Sequence, residues 1–304
     1  MKKEKKGLDV EPIAMKKGKK GINLELVAIF IFVIYMLPFG LVIINAAKPT
    51  LQIIVDPLQF PKNPAQFLAN VKAVFISPNV RYSSSFVSTF LITVGSVSLL
   101  VLISSMAAWV LVRTKTTLSS VIFMMFVAAM VVPFQVVMFP LVNWLRTIEV
   151  ALHLDSGPFR LLQNYPGIIF AYLGFGSSLS IFLYHGFIKS VPLELEEAAT
   201  IDGCSKPATF FRIVFPILTP ITVTIIILNG MWIWNDYLLP LLVLGSGNRV
   251  QTLPLAVANF VGSFLRRWDL ILTSTLMAML PIIIMFLFLQ KYIIKGIVDG
   301  AVKG

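Results

Sequence analysis

Six long apolar runs, near 25–47, 83–112, 118–142, 165–188, 219–244 and 269–290, constrain this chain more than any other feature. A hydrocarbon core about 30 Å thick is crossed by a helix of roughly 20 residues, and each run reaches that length. The chain is 57% hydrophobic and 13% charged, well away from the roughly 45–50% and 25% of soluble domains, and its mean hydropathy is +0.88. The predicted fold class is an all-α integral membrane protein with six transmembrane helices. Lysines precede the first run and small residues (Asn45, Ala46, Ala47) follow it, as in a signal peptide. Its apolar stretch of roughly 22 residues exceeds the 7–15 of a signal-peptide core, so it reads as a retained helix.

The net charge of +11 does not point to nucleic acid. Eight of the 25 Lys and Arg fall within the first 20 residues, and no basic stripe interleaves with aromatics elsewhere. A basic tail beside a span instead sets orientation or touches anionic membrane lipid. With six spans both termini share one side, and that side carries sixteen Lys and Arg against nine on the other. The excess places both termini in the cytoplasm, together with the polar segment between the fourth and fifth spans. Cys204 is the sole cysteine, so neither an internal disulfide nor a thiolate metal site is available.

That polar segment contains ELEEAATIDGCSKPATFFRIVFPILTP, Glu194 to Pro220. Ser190 is a candidate cap for a helix with Pro192 in its first turn and with Glu194, Glu196 and Glu197 near its positive end. Gly203 suits a left-handed stop. A second helix is expected to start at Ser205 with Pro207 just inside, and Pro216 closes it or leads into the fifth span. The stretch is too short to cross lipid and reads as a helical hairpin on the membrane surface. Taken alone, it could be a solvated amphipathic linker.

Glu197-Ala198-Ala199, Asp202-Gly203 and Ile213-x-Phe-Pro216 resemble the EAA loop of binding-protein-dependent ABC importer permeases. The family pattern ends in Ile-x-Leu-Pro, so Phe215 departs from it conservatively. "WNDYLLPL" (Trp234–Leu241), "MVVPFQVVMFPL" (Met130–Leu141) and the terminal "GAVKG" are similar to the maltose-type, carbohydrate branch, and the likeness runs from about residue 80 onward. The resemblance implies a type I permease fold with a cytoplasmic coupling-helix loop. Glu197, Ala198, Ala199, Asp202, Gly203, Ile213 and Pro216 would be its ATPase-coupling residues. Implied partners are a second permease subunit in a heterodimer, a cytoplasmic ABC ATPase dimer, an extracellular solute-binding protein and a carbohydrate substrate. This chain would bind no cofactor and perform no catalysis, with ATP and Mg held on the partner ATPase. The implied location is a bacterial cell (inner) membrane. The corresponding division is a basic tail (1–24), a first helix with an extracellular loop (25–82), a core permease domain (83–295) with coupling loop 190–218, and a C-terminal tail (296–304). Physics fits the loop's role independently: Ala198 and Ala199 lack bulk, acids meet basic partners, and glycine permits a sharp reversal.

In the fifth span, Asn229, Trp232 and Asp236 fall within about 60° of one another at 100° per residue, and Asn235 lies beside them. Asp236 is the one carboxylate placed inside a span. Such a stripe either lines a sugar path, since aromatic faces and amide or carboxylate edges suit sugars, or pairs structurally with a neighbouring helix. His153 and His185 are isolated and no metal site is expected. Loop 245–268 is either a re-entrant segment or an ordinary connector. Among rival classes, an ion-coupled secondary carrier would need more intramembrane charge or an internal repeat, and a polyol or glycerol phosphate permease differs only in substrate. No H-E-x-x-H, G-x-S-x-G or G-x-x-x-x-G-K-[ST] occurs, so nothing marks the chain as an enzyme or a P-loop ATPase.

Overall fold

The computed structural model describes residues 19–78, 81–154, 157–246, 248–260 and 267–301, and among these every regular element is helical. The basic tail before Lys19 and most of GAVKG, from residue 302, lie outside the described residues. In chain order the helices are α1 (Lys19–Ala46), α2 (Thr50–Val55), α3 (Gln66–Ile76), α4 (Tyr82–Arg113), α5 (Thr117–Ala129), α6 (Phe134–Ala151) and α7 (Tyr165–Ile188). There follow α8 (Glu194–Ile201), α9 (Lys206–Thr209), a π-helical turn (Phe210–Val214), α10 (Phe215–Ile217), α11 (Thr219–Asn235), α12 (Leu238–Leu244), α13 (Leu253–Ala258) and α14 (Trp268–Ala301).

Within α1, α4, α7 and α14 lie segments long and apolar enough to cross a membrane singly, and with each of two bent pairs taken as one span the described residues have up to six. The expected span at 118–142 is broken in the middle. α5 and α6 meet at 107°, and α6 runs on to Ala151. Pro133 has no N–H to continue α5, and its ring turns the preceding backbone away from helix. The bend wastes few hydrogen bonds: the amides of Met130, Val131 and Val132 donate three residues back, to the carbonyls of Val127, Ala128 and Ala129 at 3.2, 3.1 and 3.3 Å. Inside the bend is a cavity of about 570 Å³ lined by Val132, Pro140, Trp144, Phe170 and Gly174. The second bent pair joins residues 206–217 to α11 at 76°, with Pro216 leading into the span.

α4, α7 and α11 form the core. α4 is 32 residues without an internal proline, about 48 Å of straight rod at 1.5 Å per residue. It buries Ser85, Ser88, Thr89, Ser96, Ser104 and Ser105 among its apolar residues, small side chains that let neighbouring backbones approach. Tyr172, Tyr184, Leu100, Ile181 and Ile225 fill the space between the three helices. Asn164 caps α7, its Oδ1 accepting from the Tyr165 amide at 2.9 Å, with Pro166 in the first turn. α1 keeps most of its apolar residues exposed, the pattern of a helix with lipid as its solvent.

The 48–82 stretch, expected as an extracellular loop, contains α2 and α3 and is hydrogen-bonded to α14. Lys48 is fully buried, its ammonium donating to Asn45 Oδ1 and to the carbonyls of Asp56 and Pro57 at 2.9–3.2 Å. Burial pushes its pKa below the ordinary lysine value, with Asp56 pulling the other way. Asn70 donates to the carbonyls of Ala46 and Lys48, Thr273 donates to Ala46, and Thr50 donates to Asp269, which Arg267 grips through two nitrogens. Loop 245–268 is likewise no simple connector: α13 buries Leu253, Leu255 and Ala256 against α4 and α14, and the Leu253 amide donates to Thr89 at 2.8 Å.

Candidate coupling hairpin and polar stripe

The hairpin forms as the sequence predicts in outline, with a different start. Ser190 does not cap α8. Its hydroxyl and amide both bond the Phe187 carbonyl, so it closes the end of α7, and α8 begins two residues beyond Pro192. The carbonyls at the end of α7 needed donors, and Ser190 was the nearest. Gly203 ends α8 with φ at +82°, and a Cβ built there meets no atom within 4 Å. Ser205 precedes α9 with extended backbone, and Pro207 sits in its first turn.

The hairpin sorts its residues into two faces. Glu197, Ala198, Ile201, Asp202 and Gly203 are exposed, Ile201 by 87%, while Ala199 is buried against the protein. Ile213 is half-buried in the π-helical turn and Pro216 is exposed. Phe210, Val214 and Leu218 sink into the core, so the second arm is anchored and the first projects.

Glu196 does what sequence reasoning missed. It is 7% exposed and turned inward, where Arg113 donates to its Oε1 at 2.8 and 2.9 Å and the Trp109 indole N–H donates to its Oε2 at 3.0 Å. Arg113 also donates to the Val191 carbonyl at 3.0 Å, and Trp109 packs against Phe210 with ring centroids 5.2 Å apart. Of the three glutamates in the first turns of α8, one is bound to α4. The available signal was Trp109 and Arg113, four residues apart on one helix face and close to an acid-rich loop.

The predicted stripe on α11 is real on one side only. Asn229 is buried, its amide donating to Ser180 Oγ and to the Ile225 carbonyl, both at 3.1 Å. The Trp232 ring meets Tyr172 edge to face at 5.4 Å, and Tyr172 donates its hydroxyl to Asp236 Oδ2 at 3.0 Å. Asp236 is not inside a helix: α11 stops at Asn235, and Asp236 is extended, its Oδ1 accepting the Leu238 amide that opens α12. Asn235 stands apart and exposed, bonded to its own helix at the Met231 carbonyl. Thus α7 gathers Asn229, Trp232 and Asp236, while the Trp232 indole and Asn235 retain open surface. His185 stacks on Phe123 at 3.6 Å.

At the end of α4 away from the hairpin lies a second polar feature. A cavity of about 920 Å³ is lined by Arg81, Ser84, Ser88, Asn164, Tyr165 and Arg249, and the Ser88 and Tyr165 hydroxyls share a hydrogen bond of 2.9 Å.

Bent apolar spans, a projecting glycine-ended knob at one end and a polar mouth at the other are the frame of a multi-pass membrane protein. Residues 100–299 match the family described as "Binding-protein-dependent transport system inner membrane component", and the chain belongs to that family. It is 39% identical over 276 residues to the "Probable starch degradation products transport system permease protein AmyC" of Thermoanaerobacterium thermosulfurigenes, covering 90% of this chain and 94% of that one. It is 40% identical over 222 residues to the "Melibiose/raffinose/stachyose import permease protein MelC" of Bacillus subtilis, covering 73% and 76%. It is also 32% identical to the "Multiple sugar-binding transport system permease protein MsmG" of Streptococcus mutans over 89% of this chain and 93% of that one. A crystallised bacterial ABC transporter chain involved in alginate import superimposes with a TM-score of 0.72 at 17% identity, covering 93% and 99%, so the two share the fold of a type I importer permease.

Proposed function

We propose that this chain is one of two permease subunits of an ATP-driven importer that carries a mono- or oligosaccharide inward by alternating access. One observation carries the substrate class: relatives spanning most of this chain are named for starch degradation products, for melibiose, raffinose and stachyose, and for multiple sugars. The chain has no P-loop, so ATP and Mg reside on a partner ATPase dimer, and a companion permease and an extracellular binding protein complete the assembly. The exposed surface of Glu197, Ala198, Asp202 and Gly203 is the part that the ATPase cleft receives, with Ala199, Ile213 and Pro216 supporting it. The hairpin faces the cytoplasm, as do both termini of a multi-pass protein in the bacterial cell membrane. The polar mouth faces outward, where guanidinium, amide and hydroxyl groups suit a hydroxyl-rich solute.

Deleting the chain should abolish ATP-dependent uptake of a labelled oligosaccharide from the raffinose or maltodextrin series. Uptake that survives ATP depletion but collapses with a protonophore would replace this reading with an ion-coupled carrier. Orientation has its own check: native Cys204 should resist an impermeant thiol reagent in intact cells, while a cysteine introduced at exposed Leu58 should react. Labelling of Cys204 from outside would reverse the topology.

Trp232, Asn235 and Asp236, with Asn229 behind them, are the proposed substrate path on this subunit. Asp236→Asn keeps an oxygen for either Tyr172 or the Leu238 amide but not both on carboxylate terms, which removes roughly 1.5–3 kcal/mol of charge-assisted bonding. Uptake should fall about tenfold while the complex assembles normally. Loss of the assembled complex would make Asp236 a structural partner instead.

A further inference from the structure

We propose that the buried contact of Arg113 and Trp109 with Glu196 is a positioning strut, which makes α4 the rod that carries hairpin motion through the bundle. This deepens the coupling reading of the hairpin and rests on it.

The exposed knob is a poor lever by itself. α8 is eight residues long and joined to α7 by a short turn, so a force on Ile201 or Gly203 could be lost in local rocking. Glu196 removes that freedom. Both its oxygens are occupied, by Arg113 and by the Trp109 indole, and its backbone carbonyl accepts the Thr200 hydroxyl at 2.8 Å. Arg113 simultaneously holds the Val191 carbonyl, fixing the turn that enters α8. A carboxylate enclosed by three donors from one helix has no nearby alternative geometry, so the first arm and the end of α4 move together.

At its other end α4 is equally engaged. Thr89 accepts the Leu253 amide of the inward-packed α13, and Arg81 donates to the Asn248 carbonyl of the same loop. No proline interrupts the 32 residues between, whereas the paths through residues 117–151 and 206–235 are bent. α4 is therefore an unbroken route from the hairpin to the polar mouth, as α7 is, and α4 is the one that grips Glu196; Arg81, Ser84 and Ser88 at its start help to line the mouth.

The strut is distinct from the docking surface because Glu196 is enclosed while Glu197 and Gly203 are exposed. The test uses the complete transporter in membrane discs with its solute-binding protein and a transported oligosaccharide, on a Cys204→Ser background. Glu196→Gln and Arg113→Met should each co-purify with the ATPase as wild type does, yet lose about tenfold of the hydrolysis stimulated by loaded binding protein, a size usual for coupling between sites. In the double variant Arg113→Cys, Glu196→Cys, bridging the two thiols with a short disulfide-containing bis-thiol reagent that spans the lost side chains should restore stimulated hydrolysis, and reduction should remove it again. Single variants that keep stimulation within about twofold of wild type would overturn the proposal. So would a crosslinked transporter that hydrolyses no better than its reduced form, since a rigid link would then not be what coupling needs. Gly203→Asp serves as the reference. If it leaves association and stimulation intact, the coupling reading of the hairpin fails, whereas failure of the strut alone leaves that reading standing.

Discussion

Gly203→Asp is expected to yield a permease that inserts and folds but no longer supports substrate-stimulated ATP hydrolysis. The backbone at Gly203 is left-handed, φ +82°, where an L side chain costs roughly 1–2 kcal/mol. Aspartate tolerates that region better than most residues, and the added atoms meet nothing within 4 Å in the chain itself. The isolated subunit therefore has little reason to misfold. A cleft closing over the knob meets a charged side chain at its tip, and the first-turn acid Glu197, replaced by lysine, would oppose both the helix dipole and any basic partner. Co-purification of the ATPase and hydrolysis in membrane discs measure the two effects. Wild-type values for both Gly203→Asp and Glu197→Lys would remove the hairpin from the coupling role.

The second large effect is on folding. Gly167 lies in the first turn of α7, and a Cβ there would stand 1.8 Å from the Leu161 carbonyl oxygen and 2.9 Å from Leu161 Cα. Those are backbone atoms, and the segment cannot easily retreat. The Leu162 amide donates to buried Glu149 at 2.7 Å, and the Gln163 amide donates to the Val243 carbonyl at 2.8 Å. Gly167→Ala should cost about 3 kcal/mol or more, the upper range for overpacking, and deplete the protein from membranes. Gly174→Ala is the control: it lies in the same helix with no atom within 4 Å of its Cβ, and alanine is the better helix former. Thermal melts of the purified variants should separate the two, and equal melting temperatures would refute the clash.

The spans and the hairpin were legible because each follows from local chemistry. Apolar length decides the first, and Gly203 with Pro207 decides the second. Bends were harder, because hydropathy averages over Pro133 and treats residues on either side as one run. Asp236 was misplaced for a related reason: a continuous helix was drawn through a position where the aspartate's own acceptor starts α12. The inward turn of Glu196 depends on groups distant in sequence, 83 residues away for Arg113, and the burial of Lys48 on carbonyls that only a folded turn brings to its ammonium. Three glutamates within four residues look alike until the fold supplies a cation to one of them.

The hydrogen-bonded cluster at the far end of the bundle has a consequence for biosynthesis. Thr50 meets Asp269 across 219 residues, and Thr273 reaches the Ala46 carbonyl across 227. The C-terminal end of the first helix thus completes its hydrogen bonding only after the last helix has been made and inserted. Until then Lys48 has its short-range partners at Asn45, Asp56 and Pro57, but Ala46 and Thr50 on either side of it lack theirs on α14. Nascent chains arrested before Trp268 should carry an open first loop, susceptible to proteases on that side of the membrane, and release of the final helix closes it. The end of α1, the loop after it and the start of α14 are in this sense a single late-folding unit beside a core that can form earlier.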